Sequence, residues 1–504
     1  MTLTPEQSDI VSRIRALTQG DCLKTIAYAG TGKTSTLAES ARNRPDARIL
    51  YLVYNRDMAR EARQRFPANA VCRTAHALAW HAMGHPSNLS HRPLRGDDIA
   101  DALGYPAMVN WGHQRLSAGQ AGVAVLETIR RFWRSADPDI QPDHAWYGPL
   151  EPTDVVTVPL IANAQRLWGL MQDGCVPIEH DTYLKHYQLA LADGQRAAPD
   201  VDLVFFDEAQ DANPVLHAII ASIRGAARVF VGDPYQQIYA WRGAVNALDR
   251  IEGEEFALTI SHRFGPLVAE YATHLLSFHS RAPGGPVRSS GVVKTRLGVF
   301  RGSDQMDAIL CRTRAGVLEQ AIRQQVQGRG VYVVGGPEAL SVYLRDLAMI
   351  ALERTERVRH RDLIGIETWA EALTLAELDH DRELAAGIRL VEEFGARAIL
   401  DALEALRSED SARPGDIAIS TVHRAKGREW DRVALADDLC GPADLLDALG
   451  RRLEIDEEVD IAYVAATRAK RFLLFPESHL RPLPDWERQI RPGSPIDRAL
   501  KSSG

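Results

Sequence analysis

The chain has 504 residues, of which 45% are hydrophobic and 25% are charged, and its formal net charge at pH 7 is −8. This length exceeds what one hydrophobic core supports, so we expect several folded units with the composition of an ordinary globular protein. No apolar run approaches the roughly 20 residues that span a bilayer, and the first residues carry no signal-peptide pattern. The five cysteines form no CxxC pair, which argues against structural zinc or disulfides and favours a reducing cytoplasm. The acidic net charge leaves nucleic-acid binding open, because only the local field along a groove matters.

The first half of the chain alternates between short apolar runs and helical patterns. Such alternation is typical of βαβ units around a parallel sheet. Pro, Gly, Trp and His then interrupt mainly helical stretches from about 86 to 190, which indicates an insertion between two parts of this sheet. The predicted strands are the apolar runs at 25–30, 48–54, 71–74, 201–209 and 227–233.

A second alternating block occupies the rest of the chain. A segment from about 341 to 410, rich in Ala, Leu, Glu and Arg, is predicted to be helical and to interrupt this block. The sequence therefore predicts an α/β protein with two parallel-sheet cores, each interrupted by a mainly helical insertion. The predicted strands of the second core are at 307–314, 331–336, 416–423, 431–438 and 471–475.

The segment AYAGTGKTSTL (27–37) places two glycines, a lysine and a threonine where a predicted strand ends and a helix begins. This is the context of a P-loop, whose backbone N–H groups and helix N-terminus surround a phosphate. Lys33 would reach the β- and γ-phosphates, and the Thr34 hydroxyl would bind Mg²⁺. Ala27 replaces the first glycine of the usual GxxxxGKT pattern. The motif predicts a nucleotide-binding protein that uses Mg²⁺.

An acidic pair, Asp207 and Glu208, follows the apolar run at 203–206. It therefore lies at the carboxyl end of a predicted buried strand, where α/β sheets bind ligands. One carboxylate is needed to hold Mg²⁺, and a second is needed to orient and deprotonate the attacking water. We assign the first role to Asp207 and the second to Glu208, which predicts a nucleotide hydrolase.

Two further segments, GDPYQQIYAWRGAVNAL (232–248) and YVAATRAK (463–470), follow in a fixed order. With them the chain resembles the superfamily 1 helicases of the UvrD/Rep/PcrA type from about Leu3 to Phe475, most of all the F-box DNA helicase branch but without the F-box. The resemblance implies two RecA-like P-loop cores, use of ATP and Mg²⁺, and 3′-to-5′ movement along single-stranded DNA and at junctions with duplex. It implies no membrane and no zinc, and a role in DNA repair or recombination, at the nucleoid if the organism is bacterial.

The resemblance also implies how the chain divides into domains. The second insertion is shorter than the regulatory domain of the larger family members, so its regulation is expected to differ. The implied segments are the first core at 1–85 and 196–262 with its helical insertion at 86–195, and the second core at 263–340 and 411–504 with its reduced insertion at 341–410.

Motif by motif, the resemblance implies residues that contact the nucleotide. Gln7 in LTPEQ would read the adenine edge, and Gln236 would sense the γ-phosphate. Arg263 and Arg468 would be arginine fingers that reach the γ-phosphate from the second core, so hydrolysis would require the cores to close. Glu429 would bind the ribose hydroxyl. The P-loop residues at the nucleotide would be Ala29, Gly30, Thr31, Gly32, Lys33, Thr34 and Ser35.

The resemblance further implies residues that contact the DNA strand. Tyr239 and Trp241 would stack bases without sequence preference, since every base offers an aromatic face. His423 and Lys426 would face either the DNA or the interface between the cores. The residues with an implied DNA contact are Thr74 and His76 of a TxH motif, Tyr239, Trp241, Arg242 and His423.

Several alternatives stay open. The same residues would serve a translocase that strips a recombinase or another repair protein from DNA with little unwinding. A nucleotide-dependent subunit of a defence or repair complex would tolerate loss of Lys33, Glu208 or an arginine finger, yet all of these are present. A small-molecule P-loop kinase would leave the DNA-binding motifs unexplained. RNA also stays open as the track, because stacking surfaces accept either sugar.

Two other features favour ordinary structural roles. The four tryptophans of the first insertion are expected to pack in its core rather than line a DNA path. The turn RTERVRHR (354–361) is expected to be a solvated basic face. The tryptophans are Trp111, Trp133, Trp146 and Trp168.

Overall fold

The computed structural model describes residues 3–480 apart from 54, 149, 151, 239–247, 249–250, 303, 379–380 and 452–453. The first helix begins with a capping box between Thr4 and Gln7, and Pro5 occupies its first position. Helices and strands then alternate, as the apolar runs predicted. The first elements are α1 (Pro5–Arg15), β1 (Cys22–Ala27), α2 (Lys33–Arg42), β2 (Ile49–Val53), α3 (Arg56–Arg65), β3 (Ala70–Thr74) and α4 (Ala75–Ala82).

The first insertion is mainly helical but also contains an antiparallel hairpin. In this hairpin Val109 pairs with Leu116 across a turn at Gly112. This hairpin was not predicted, because two strands of four residues carry too little periodicity to be distinguished from a loop. The elements of the insertion are α5 (Gly96–Leu103), β4 (Met108–Trp111), β5 (Gln114–Ser117), α6 (Ala118–Arg134), α7 (Asp154–Gln172) and α8 (His180–Ala192).

The chain then returns to complete a six-stranded parallel sheet in the order β3-β2-β6-β7-β1-β8. Apolar side chains cover both faces of this sheet. In β2, Leu50 and Leu52 pack on one face, while Ile49, Tyr51 and Val53 pack on the other. Burial on both faces explains why the strand reads as a continuous apolar run. The added elements are β6 (Leu203–Asp207), α9 (Pro214–Ala221), β7 (Ala227–Gly232) and β8 (Glu254–Leu258).

A second six-stranded parallel sheet has the order β11-β16-β15-β12-β14-β13. Strand β12 of this sheet is also buried on both faces, since Leu310 packs into a hydrophobic cluster on one face and Ile309 into another on the opposite face. Helices α12 to α15 form the second insertion. The elements are β9 (Ile260–Ser261), α10 (Pro266–Leu276), β10 (Arg288–Ser289), β11 (Arg296–Val299), β12 (Ala308–Cys311), α11 (Arg314–Val326), β13 (Val331–Val333), α12 (Glu338–Ala351), α13 (Trp369–Leu378), α14 (Arg382–Phe394), α15 (Ala396–Glu404), β14 (Ile417–Thr421), α16 (Val422–Ala425), β15 (Trp430–Leu435), α17 (Pro442–Gly450), α18 (Asp456–Ala466) and β16 (Ala469–Phe475).

The architecture is thus α/β, with two RecA-like parallel-sheet cores that are each interrupted by a mainly helical insertion. The strands of the first sheet lie within 1–85 and 196–262, and those of the second lie within 263–340 and 411–504. The domain limits themselves stay a prediction. Among the described helices, none is long and apolar enough to cross a membrane.

Candidate nucleotide site between the two cores

The loop between β1 and α2 leaves the first sheet at the carboxyl end of β1. Gly30 and Gly32 have left-handed φ angles of 73° and 83°, which glycine adopts without steric cost. A Cβ on Gly30 would lie 2.5 Å from the Cβ of Arg263, and one on Gly32 would lie 2.8 Å from Nε2 of Gln7. Glycine is therefore needed at both positions, because the backbone is left-handed and a side chain would collide with a neighbour.

Two carboxylates lie beside this loop, where β6 ends. The Thr34 hydroxyl donates to Oδ2 of Asp207 at 2.9 Å, and the buried Tyr51 hydroxyl donates to the same oxygen at 2.7 Å. Nζ of Lys33 lies 3.2 Å from Oε1 of Glu208, whose left-handed φ of 58° is a strain of the kind found at functional sites. The oxygens of Thr34 and Asp207 are the ligands that Mg²⁺ prefers, so this donor set fits the ion.

The two carboxylates have opposite pKa shifts. Burial, reinforced by the charge of Glu208, raises the pKa of Asp207. Burial also opposes ionisation of Glu208, but Lys33 and Lys426 outweigh it and lower the pKa of Glu208 to about 2. Glu208 is therefore ionised at neutral pH, as a general base must be. A divalent cation beside Asp207 would favour its ionised form as well.

A cleft of about 500 Å³ separates the P-loop from the second core. This volume is in the range of sites that bind small molecules. Residues that the sequence analysis did not assign to the nucleotide, such as Asn55 and Arg65, also line it. The predicted nucleotide residues that line this cleft are Gly30, Thr31, Gly32, Lys33, Thr34, Ser35, Glu208, Gln236, Arg263, Glu429 and Arg468.

Arg468 lies at the second-core wall of the cleft with only 1% of its surface exposed. Its Nη2 donates to Oε1 of Gln236 at 3.4 Å, and its Nε donates to the carbonyl of Val464 at 2.9 Å. Burial, together with the charge of Arg263, lowers the pKa of Arg468. Among the described residues its hydrogen bonds go to neutral oxygens, so a bound phosphate would supply an anionic partner.

Arg263 is paired with Glu429 in this structure. Its Nε donates to Oε2 of Glu429 at 2.8 Å, and its Nη1 donates to the carbonyl of Thr467 at 3.3 Å. Burial opposes ionisation of Glu429, but Arg263 and Lys470 prevail and lower the pKa of Glu429. If Arg263 is to reach a phosphate and Glu429 a ribose, this ion pair must separate when the nucleotide binds.

Direct contacts join the two cores beside the cleft. The backbone N–H of Ala29 donates to the Tyr463 hydroxyl at 3.0 Å, and this hydroxyl donates to Oδ2 of Asp233 at 2.9 Å. Nζ of Lys426 lies 2.7 and 2.5 Å from the two carboxylate oxygens of Asp211. Lys426 therefore faces the core interface, which was one of the two predicted options. Neither Tyr463, the first residue of the motif YVAATRAK, nor Asp211, four residues after Asp207, was predicted to make such a contact.

Gln7 is 1% exposed and lies under the P-loop. Its Oε1 accepts from the backbone N–H of Thr4 at 3.0 Å, and its Nε2 donates to the carbonyl of Thr31 at 3.2 Å. The amide thus caps the N-terminus of α1 and supports the P-loop. Its contact with adenine stays a prediction.

Three of the residues predicted to contact DNA lie in the described part of the chain. Thr74 is buried and caps α4 by accepting from the backbone N–H of Ala77 at 3.1 Å, so its hydroxyl already has a structural role. Nε2 of His76 lies 2.9 Å from Oδ1 of Asp181, and 35% of the His76 side chain is exposed. His423 lies half-buried in the short helix α16. The remaining predicted residues lie outside the described part of the chain, namely Tyr239, Trp241 and Arg242.

The sequence predicted that four tryptophans of the first insertion pack in its core and that the turn at 354–361 is a solvated basic face. Packing of the tryptophans is confirmed, since Trp111 and Trp133 are buried in the core of the first insertion, and Trp146 and Trp168 pack against it. The expectation of a solvated basic face at 354–361 is wrong in part. Nη1 of its Arg361 lies 3.2 Å from Oε2 of Glu127 in the first insertion and is partly buried, because this buried carboxylate attracts Arg361 as a second cation beside Arg130.

Two family models match the chain. The model described as the UvrD/REP helicase N-terminal domain matches residues 182–250, and the model described as the UvrD-like helicase C-terminal domain matches residues 359–478. The matched segments contain the acidic pair, Gln236 and the Arg468 motif. Both models describe halves of one enzyme type, in the order in which they occur here.

Curated proteins give the same result over most of the chain. F-box DNA helicase protein 1 of Schizosaccharomyces pombe is 31% identical over 94% of this chain and 57% of its own length. F-box DNA helicase 1 of Gallus gallus is 30% identical over 94% of this chain and 49% of its own length. The chain thus spans about half the length of these relatives. ATP-dependent DNA helicase UvrD2 of Mycobacterium tuberculosis is 24% identical over 88% of this chain and 75% of its own length. Among solved structures, a PRRSV helicase covers 95% of this chain and 56% of its own with a TM-score of 0.34 and 11% identity.

Proposed function

Since the chain belongs to the UvrD-like helicases, we propose that it hydrolyses ATP to move 3′-to-5′ along single-stranded DNA. One observation carries the proposal. A single cleft is lined by the P-loop and Glu208 of the first core and by Arg263 and Arg468 of the second. A nucleotide in this cleft would contact both cores, so its hydrolysis would change how they fit together.

The roles of the residues follow from their contacts. The P-loop N–H groups and Lys33 bind the phosphates, and release of Glu208 from Lys33 leaves its carboxylate free to accept a proton from water. Thr34 and Asp207 are the residues that would hold Mg²⁺, which when bound neutralises charge on the β- and γ-phosphates. Arg468 and Gln236 lie together at the γ-phosphate end of the cleft in this assignment.

We propose single-stranded DNA and its junctions with duplex as the track, and repair or recombination in the cytoplasm as the setting, at the nucleoid if the organism is bacterial. The names of the relatives, which are DNA helicases, support this. So does the sequence GDPYQQIYAWRGA, in which Tyr239 and Trp241 offer rings for base stacking.

The proposal is tested with duplexes that carry a single-stranded tail on one side only. We expect ATP-dependent unwinding of a 3′-tailed duplex and little unwinding of a 5′-tailed one, with no activity in Lys33→Ala. Arg471→Ala is a matched control, because this cation is 66% exposed on β16 and lies outside the cleft. Preference for the 5′ tail would overturn the polarity.

The same assay separates the alternative functions. A bound protein block, such as streptavidin on a biotinylated strand, is placed on the DNA in a parallel reaction. Displacement of the block without unwinding would replace the helicase assignment by that of a translocase that strips a recombinase or other repair protein. Absence of both activities together with absence of ATP hydrolysis would favour a subunit that needs its defence or repair complex. Equal activity on RNA tails would contradict DNA as the specific track.

A further inference from the structure

A continuous group of aromatic rings lies beside the TxH motif, on α4 and α8. Helix α4 begins directly after β3, at the edge of the sheet where its parallel strands end. The rings continue from His76 along this helix into the loop that follows it. We call them the ring surface, and its members are His76, Trp80, His81, His85, His180 and Tyr183.

Neighbouring rings of this surface are in contact throughout. The Trp80 ring lies 5.3 Å from that of Tyr183 and 5.5 Å from that of His85, measured between centroids. His81 and His85 are 5.1 Å apart, with a hydrogen bond of 3.1 Å between their ring nitrogens. His76 lies 6.0 Å from Tyr183. The motif residue is thus connected through Tyr183 and Trp80 to two histidines at the end of α4.

Exposure differs between the two layers of this surface. Tyr183 is 2% exposed and forms a hydrogen bond of 2.8 Å with Nδ1 of His180, so it supports the outer rings. His81, His85 and His180 are exposed, and Trp80 is half-buried. Exposed rings with a fixed support are suited to stacking on unpaired bases.

His85, at the end of the ring surface, has a strained backbone conformation. His85 has a left-handed φ of 61°, and its N–H donates to the carbonyl of Trp80 at 3.1 Å. A side chain in this conformation costs energy that glycine would not. The hydrogen bond to Trp80 and the ring contacts with Trp80 and His81 offset this cost, so an imidazole is held at a position where glycine would be unstrained.

The charges around the ring surface suit an anionic partner. Arg56 is exposed and close enough that, after burial and His76, it lowers the pKa of His180. Two acidic residues near His180 are both paired, Asp181 with His76 at 2.9 Å and Arg134 at 3.7 Å, and Glu179 with Arg130 at 2.5 Å. Within the described residues no three His, Cys, Asp or Glu side chains are grouped to hold a metal ion, which argues against a metal as the ligand.

We propose that the ring surface binds unpaired nucleotides beyond those held by the motif residue His76, with bases stacking on the exposed rings and phosphates near Arg56. The proposal rests on the proposed function, since it extends the path of the same strand. Single-stranded rather than duplex nucleic acid is the partner, because paired bases do not expose their faces to protein rings.

The test measures binding of fluorescent oligo(dT) by anisotropy, with full-length protein and oligonucleotides of about 6 and about 16 nucleotides. The variant is His81→Ala with His85→Gly, in which glycine relieves the left-handed strain, so its melting temperature should equal or exceed that of the unmodified protein. The matched control is His91→Ala with His113→Ala, two exposed histidines of the neighbouring first insertion that lie outside the ring contacts.

We expect the variant to bind the longer oligonucleotide about tenfold more weakly than the control does, with little difference for the shorter one. ATP hydrolysis at saturating DNA should be equal in both. Equal affinity of variant and control for the longer oligonucleotide, with DNA-stimulated hydrolysis intact, would overturn the ring surface alone. If the unmodified protein binds oligo(dT) but its ATP hydrolysis is not stimulated by it, the proposed function is contradicted. The affinities of the variant and the control for oligo(dT) would then still test the ring surface.

Discussion

The two cores have sheets of the same size and sense but different chemistry at the cleft. Each sheet has six parallel strands with apolar residues on both faces. The first core brings a glycine-rich loop, a hydroxyl and two carboxylates to the carboxyl ends of β1 and β6. The second brings cations, Arg468 and Lys426, and the Tyr463 hydroxyl. The shared fold therefore does not determine function, which depends on the residues at the strand ends.

The difference indicates a division of labour. The first core has the groups that bind phosphate and metal and activate water, and these already contact one another as Lys33–Glu208 and Thr34–Asp207. The second core has cations whose partners here are protein oxygens, which a nucleotide could replace. Hydrolysis should therefore fail when either side of the cleft is changed, even if the other is intact.

Removal of the half-buried cation Arg263 should have the largest effect on turnover. In Arg263→Ala we expect kcat for ATP hydrolysis to fall about 10³-fold or more, as for arginine fingers elsewhere. Nucleotide binding to the P-loop should persist, as measured with a fluorescent ATP analogue. Arg471→Ala should hydrolyse ATP normally. A near-normal rate in Arg263→Ala would show that the second core contributes no finger at this position.

Crowding the contact between the P-loop and the segment that enters the second core should have the next largest effect. The new Cβ in Gly30→Ala would lie 2.5 Å from that of Arg263, and displacement of about 1 Å in an active site can cost about 10²-fold in rate. Gly20→Ala is the matched control, because Gly20 also has a left-handed φ, 86°, but a Cβ there meets nothing within 4 Å. Equal turnover in the two variants would reject the close contact.

Removal of the hydroxyl that joins the cores should have a smaller effect. Tyr463→Phe deletes the hydrogen bonds to Ala29 and Asp233, so we expect kcat to fall about tenfold, the equivalent of roughly 1.4 kcal/mol. The KM for ATP should change less than kcat if the tyrosine positions the loop. Tyr271→Phe, a buried tyrosine that packs on Phe475, is the control. An unchanged kcat with only lower stability would assign Tyr463 a purely structural role.

Changes outside both cores should affect stability but not turnover. Glu127 is 8% exposed between Arg130 at 2.7 Å and Arg361 at 3.2 Å, and Glu127→Gln should lower the free energy of unfolding by about 1–3 kcal/mol. Burial raises its pKa, but the two arginines prevail and lower it below 4.5. The stabilisation is therefore present above about pH 4.5 and is lost as the pH falls through the lowered value. In denaturant melts of both proteins between pH 7 and pH 3, the difference in the free energy of unfolding should shrink as the pH falls.

Much of the fold and the nucleotide site could be predicted from the sequence. Strands buried on both faces, such as β2 and β12, are continuous apolar runs and so are easily found. The P-loop and the acidic pair need particular residues, because backbone N–H groups must surround a phosphate while a hydroxyl and a carboxylate hold the Mg²⁺ bound to it. These signals are local, and local signals survive in a single sequence.

Contacts between distant segments could not be predicted. The hydroxyl of Tyr463 meets Ala29 across 434 positions of sequence, and Lys426 meets Asp211 across 215. Nothing in the motif of either partner specifies the other. For Thr74 the local signal was ambiguous. A threonine just before a helix can cap that helix or contact DNA, and the structure shows the cap.

The most direct test of the account is steady-state ATP hydrolysis with and without single-stranded DNA, in the unmodified protein and in Glu208→Gln. We expect strong stimulation by DNA that weakens with salt, and a fall of about 10²–10⁴-fold in Glu208→Gln while DNA binding persists. No stimulation in a well-folded protein, or normal hydrolysis without the Glu208 carboxylate, would contradict the claim that the cleft between the cores drives movement along DNA.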